Sequence, residues 1–278
     1  MIRDEYDAET NSPHLLASRR QYEELNSALN MSAATLDVSY GQDARELLDI
    51  LPAADLNAPV LIFFHGGYWK AGTKESRRFP ARTFNAAGVT WVSVEYPLLP
   101  HSTIEAIVTS ARRAVVWVYR NIARFGGDPS RIHVCGNSAG GHLTAMIAAT
   151  GWAEKHGLRF NPVRGGAAIS PLADLRVFVE HPFNATFMLT HESAPFVSPA
   201  LLEFEASIPL VIAVGDLETS AFHWQSRVLA DQRAARGAQD VYLIVDDRDH
   251  MSIIGDLDNA NSRLTSAILK QIWQRDGR

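Results

Sequence analysis

The chain reads as an α/β protein: a mostly parallel central sheet covered by helices on both faces, with a small inserted cap. Three observations lead there. Two short alternating segments near the start, "TLDVSY" (35–40) and "RELLDIL" (45–51), flank a turn at Gly41–Asp43 and read as an antiparallel pair. After them, apolar runs alternate with helical patterns to the end of the chain, which indicates parallel strands joined by crossover helices. The runs are also continuously apolar, as strands buried on both faces are.

In chain order, residues 14–32 carry a helical pattern and form an N-terminal arm reaching to about residue 34. "PVLIFFHGG" (59–67) and "VTWVSVEY" (89–96) are buried strands, with a helix expected over 75–87 between them. "TIEAIVTSARRAVVWVYRNIARFG" (103–126) is an amphipathic helix stopped by Gly126 and Gly127. "RIHVCG" (131–136) is a strand, and 139–150 a helix. "RGGAAIS" (164–170), "IPLVIAVG" (208–215) and "VYLIVD" (241–246) complete the strands, with helices at 219–236 and 258–275. Residues 171–207 interrupt the alternation with prolines, aromatics and histidines. A connection that long is usually functional, so it is assigned as a cap within one domain spanning 1–278.

Bulk properties narrow the function. The chain has 278 residues, 46% of them hydrophobic and 21% charged, which is ordinary globular composition. A net charge of −5 makes no electrostatic case for nucleic acid or an anionic membrane. One cysteine, Cys135, excludes an internal disulfide framework. The N-terminus has charges where a signal peptide needs an apolar core, and no run approaches the roughly 20 residues of a membrane span. The expectation is a cytoplasmic protein acting on a small molecule. Oligomeric state is left open, a homodimer among the options. No zinc-ligand spacing or dinucleotide loop is present, so no metal or cofactor is expected.

"HVCGNSAGGHL" (133–143) concentrates the chemistry. Glycines punctuate many strand-to-helix turns, and serine caps many helices. The sharper reading is a nucleophile elbow that holds Ser138 exposed on a strained turn. That reading demands an oxyanion segment upstream, then an acid and a histidine downstream. "HGGYW" (65–69) follows a buried strand directly, and the N–H groups of Gly67, Tyr68 and Ala139 are the expected oxyanion donors. Among ten histidines, His250 alone follows the last strand in the required order. Asp216 and Glu218 both qualify as the acid. Asp246, Asp247 and Asp249 are read as solvated loop charges. Trp69, Phe183, Met188 and Phe196 are candidates to line an aromatic substrate pocket.

With those residues in view, the chain resembles the kynurenine formamidase (arylformamidase) branch of the hormone-sensitive-lipase-like α/β hydrolases. The resemblance runs from about residue 35 onward, through "YGQDARELLDIL", "ARFGGDPSRIHVCGNSAGGHL", "ISPLADLR", "ESAPFVSP", "FHWQS" and "DHMSII". The "YW" after HGG and the F-x-x-Q-S pattern are its more specific marks. It implies the α/β-hydrolase fold and cleavage of N-formyl-L-kynurenine through an acyl-enzyme. It also puts Glu218 in the acid slot, where relatives commonly carry Asp. A carboxylesterase or other amidase is the nearer alternative, and a non-catalytic binding module the more distant one.

Overall fold

Strand β3 (Ala58–Phe64) shows how the sheet organises the molecule. Val60, Ile62 and Phe64 join one hydrophobic cluster, and Leu61 and Phe63 join another. Successive side chains of a strand point to opposite faces, so a run apolar at every position must be covered twice. The computed structural model describes residues 4–152, 156–158, 161–203 and 208–274. The outer parts of the expected arm (1–3), cap (204–207) and last helix (275) lie outside those residues.

Among the described residues the sheet has eight strands in the order β1-β2-β4-β3-β5-β6-β7-β8. The others are β1 (Thr35–Ser39), β2 (Leu47–Leu51), β4 (Thr90–Val94), β5 (Gly127–Asn137), β6 (Val163–Ile169), β7 (Leu210–Gly215) and β8 (Val241–Val245). β1 pairs antiparallel with β2, and β2 with β4, while every later pairing is parallel.

The helices with described bounds are α1 (Leu15–Ser27), α2 (Ala81–Ala86), α3 (Ile104–Asn121), α4 (Ala139–Ala148), α5 (Asn184–Phe187), α6 (Ser220–Ala234) and α7 (Arg263–Trp273). α3 starts at Thr103, whose hydroxyl accepts from Ala106 N at 3.2 Å. One expected helix is split and another starts late. Over 75–87 the chain forms a 3-10 turn (Glu75–Arg77) and then the short α2, because Pro80 lacks an N–H to continue the first turn. The helix expected over 258–275 starts only at Arg263, where Ser262 Oγ accepts from Thr265 N at 3.0 Å, and a 3-10 segment (Ile253–Asp258) lies before it. The cap region carries 3-10 turns and α5. Gln225 on α6 ties down its start: Oε1 accepts from Ala173 N at 2.6 Å and Asp174 N at 2.8 Å, and Nε2 donates to Asp174 O at 3.0 Å. The glutamine of the F-x-x-Q-S pattern is therefore a structural fastener. No helix among the described residues is long and apolar enough to cross a membrane.

Candidate active site

At the carboxyl end of β5 the chain turns at Ser138, with φ 56° and ψ −118°. A non-glycine residue rarely adopts positive φ, and such strain persists only where surroundings enforce it. Here they do. Ser138 N donates to Ile169 O at 2.8 Å, and Ser138 O accepts from His142 N at 2.9 Å as α4 begins. The glycines of the motif permit the crowding: a Cβ on Gly140 would lie 1.9 Å from Phe64 O. Ala139 opens α4, where the first N–H groups have no intrahelical partner.

The "HGGYW" loop is equally constrained. Gly67, Tyr68 and Trp69 have consecutive positive φ values of 122°, 50° and 55°. A Cβ on Gly67 would meet Ala71 O at 2.2 Å. Both ring nitrogens of buried His65 face acceptors: Nδ1 lies 2.8 Å from Gly66 O, and Nε2 lies 3.3 Å from Glu95 Oε1. Its ring stacks on Tyr96, whose hydroxyl donates to His65 O at 2.7 Å. Burial pushes the Glu95 carboxyl up, but hydrogen bonds and nearby charge from His65, Lys74 N and Arg45 hold it below its ordinary value.

The candidate acid and base lie on the loops after β7 and β8. His250 Nδ1 donates to Glu218 Oε2 at 2.6 Å. Glu218 Oε1 accepts from Ser170 Oγ at 2.5 Å and from Gly215 N at 2.8 Å. Three donors on one buried carboxylate fix its orientation. Phe222 packs on the imidazole, with ring centroids 4.0 Å apart. Asp216, the other candidate acid, is exposed and accepts instead from Arg248 N at 3.2 Å. Two residues of extra chain turn Glu218 back under His250, because Glu218 N bonds to Gly215 O at 3.2 Å. Asp249 corrects the expectation of a solvated charge. It is fully buried, and its carboxylate accepts from Met251 N, Ser252 N and His14 N at 3.0, 2.8 and 2.7 Å.

Ser138, His250, Gly66, Gly67 and Tyr68 share one cavity of about 800 Å³. Of the four expected pocket residues, Phe183 lines it. The other three do not. Trp69 is fully buried, edge-on to His142 and Phe187, because the left-handed turn swings it into the core. Met188 and Phe196 are 54% and 70% exposed on the outside of the cap. Sequence reasoning missed the opposite wall, which comes from the N-terminal segment: Asp7 to Thr10, Arg19, Tyr22 and Asn26. That segment is tied to the site by Tyr68 Oη, which donates to Tyr6 O at 2.5 Å, and by Thr219 Oγ1, which donates to Glu5 O at 2.7 Å. No local pattern marks it, since its contacts span up to 235 positions. Ser170 was also missed. Its φ of 46° in "ISPL" is invisible in sequence. Among the described residues, no group of three or more His, Cys, Asp or Glu side chains could hold a metal ion.

The model of the alpha/beta hydrolase fold family matches residues 61–254. Kynurenine formamidase of Danio rerio is 30% identical over 253 residues, covering 88% of this chain and 84% of that protein. Esterase LipQ of Mycobacterium tuberculosis is 38% identical over 144 residues, covering 50% of this chain and 32% of LipQ. Among solved structures, a hyperthermophilic esterase from Pyrobaculum calidifontis superposes with a TM-score of 0.75 at 22% identity, over 96% of this chain and 93% of that one.

Proposed function

We propose that this chain, which belongs to the alpha/beta hydrolase fold family, is an arylformamidase. It cleaves N-formyl-L-kynurenine to kynurenine and formate through a formyl-enzyme on Ser138. The hydrolase chemistry is carried by the buried 2.6 Å contact of His250 Nδ1 with Glu218, with His250 and Ser138 lining one cavity, and the formamide substrate is supported by the similarity to the kynurenine formamidase of Danio rerio.

His250 Nε2 takes the Ser138 proton as Oγ attacks the formyl carbon. The carbonyl π electrons move to oxygen, and the N–H groups of Gly67, Tyr68 and Ala139 stabilise the resulting oxyanion. Glu218 holds the imidazole in the tautomer with its proton on Nδ1, and stabilises the cation that forms. The intermediate collapses, the C–N bond breaks, and His250 protonates the leaving aryl amine. Water then attacks the formyl ester, with the same imidazole as base, and formate leaves as the serine is reprotonated. The strained turn at Ser138 keeps the hydroxyl at the carboxyl edge of the sheet, beside the HGG loop.

A comparison of kcat/KM for N-formyl-L-kynurenine, short p-nitrophenyl esters and other aryl amides tests the reading. The formamide should be preferred, and Ser138→Ala should abolish turnover and fluorophosphonate labelling. Esterase LipQ, similar over half of this chain, favours a carboxylesterase as the second reading. A preference for the esters over the formamide would select it.

A further inference from the structure

The wall built by α1 and the 3-10 turn Glu75–Arg77 contains two polar groups that protein partners leave incomplete. Arg77 lines the cavity, and its Nη1 donates to Ser76 O at 2.9 Å. Its Nε is shut off from solvent and has no hydrogen-bond partner. The neighbouring cations contrast with it. Lys74 contacts Asp37, Asp49 and Glu75 at 2.7, 3.1 and 2.5 Å. Arg78 pairs with Asp49 at 2.5 Å. Arg77 makes no ion pair among the described residues; below it lies the ring of Tyr22, 5.4 Å from the guanidinium carbon. Arg77 is half-buried, an arginine stays charged, and a partly desolvated charge without a counter-ion is costly.

Asn26 is fastened to the same carbonyl. Its Nδ2 donates to Ser76 O at 3.1 Å, and it too lines the cavity. A carbonyl only accepts, so the amide nitrogen must be the atom facing it. The buried atom without a partner is therefore Oδ1, an acceptor. Ser76 O thus holds side by side a cation that lacks an anion and an acceptor that lacks a donor. The charges around them are mixed: Arg19, Lys70, Asp7, Glu9 and Glu23 line the same space, with Arg19 and Glu9 already paired at 2.5 Å.

We propose that Arg77 and Asn26 form a subsite for the α-amino-acid end of the substrate, with the guanidinium taking its carboxylate and Asn26 Oδ1 its ammonium. The identity of the ligand rests on the arylformamidase reading. The pair selects a zwitterionic amide over a neutral one of the same reacting group, and acts on binding more than on bond cleavage.

The test compares N-formyl-L-kynurenine with 2-formamidoacetophenone, which keeps the formanilide and ketone and lacks the amino-acid end. Arg77→Met should lower kcat/KM on the full substrate by about 10- to 100-fold, the worth of a charge-assisted hydrogen bond, mostly through KM. It should leave the truncated ketone within about twofold. Arg77→Lys should recover part of the loss, since charge returns without the planar fork. Asn26→Leu should also discriminate against the full substrate alone. Equal loss on both compounds, or loss on neither, overturns the subsite. If the wild-type protein cleaves neither formanilide, the arylformamidase reading fails separately. The subsite is then decided with mono-p-nitrophenyl succinate against p-nitrophenyl butyrate. A preference for the anionic ester that Arg77→Met removes supports an anion site, and no such preference overturns it.

Discussion

The cavity has a floor and a roof held by different physics. The floor comprises the turn at Ser138, the HGG loop, and Glu218 with His250. It is backbone in strained conformations, locked by buried hydrogen bonds to the ends of β3, β5, β6 and β7. The roof comprises residues 4–27 and the cap from 171 onward. It rests on aromatic edges, such as Tyr6 on Phe178 at 4.7 Å and Tyr68 on Phe183 at 5.1 Å, and on exposed polar contacts such as Ser220 Oγ to Glu5 at 2.5 Å. A rigid floor can keep reacting groups in register, while a roof of adaptable contacts can vary with the substrate. Changes in the floor should therefore depress turnover of every substrate. Changes in the roof should redistribute preference among substrates.

The largest effect expected from the floor is that of Ser138→Ala, a loss of about 10⁶ in kcat on amide and ester alike. Retained turnover, with no acyl or fluorophosphonate adduct on Ser138 by mass spectrometry, would remove the elbow from the chemistry. Next, Glu218→Gln should cost about 10⁴, because an amide favours the wrong imidazole tautomer and cannot stabilise the cation. Asp216→Asn should leave kcat nearly unchanged, and Glu218→Asp should keep part of it. Parallel kcat measurements after circular dichroism has confirmed folding decide between the two acids; an inactive Asp216→Asn beside a healthy Glu218→Gln reverses the assignment.

A smaller loss should follow Gly67→Ala. The added Cβ meets Ala71 O at 2.2 Å and moves the loop, displacing an oxyanion donor worth about 10²–10³ in rate. The loss should fall on kcat; a change confined to KM would make this loop part of the roof in function. In the roof itself, Phe183→Ala should weaken kcat/KM for an aryl amide by about tenfold and spare p-nitrophenyl acetate. Equal losses on both would erase the distinction between the regions.

The smallest effect is on stability. Burial, first of all, pushes the His133 imidazole down to about 3 and the His142 imidazole down to about 4. The unfolded chain protonates them near 6.5, so acid favours unfolding as pH falls from there toward the folded-state values. His133→Gln should flatten that part of the curve, read as thermal midpoint against pH between about 7 and 4. An unchanged slope would mean that other groups set the acid limit.

Within the floor, the turn at Ser138 and the HGG loop were legible because their signals are local. An apolar run ending in glycines, with serine or histidine after it, reports a buried strand and its turn within a dozen residues. The split of 75–87 was less legible, although Pro80 marks it. The position of Trp69 was not legible at all, since an aromatic beside a glycine loop can swing toward either cavity or core. Positive φ at three successive residues decided for the core. Met188 and Phe196 failed as pocket residues for a related reason: composition marks a cap as aromatic without saying which side of it faces inward.

By itself, then, the sequence determined the strand set, the glycine-flanked turn at Ser138 and the HGG loop that follows its strand. Each depends on residue type and on spacing along one stretch of chain. The tertiary structure set Glu218, the acid that the resemblance implied, and not Asp216, against His250, and placed Ser170 on the same carboxylate. It also closed the N-terminal segment over the cavity and set Arg77 and Asn26 on one carbonyl. Glu218 and His250 are 32 positions apart, Asn26 and Ser76 are 50 apart, and His14 of the N-terminal segment and Asp249 are 235 apart. Such pairings arise when separate strands bring their loops to one edge of the sheet, and no periodicity along the chain encodes them.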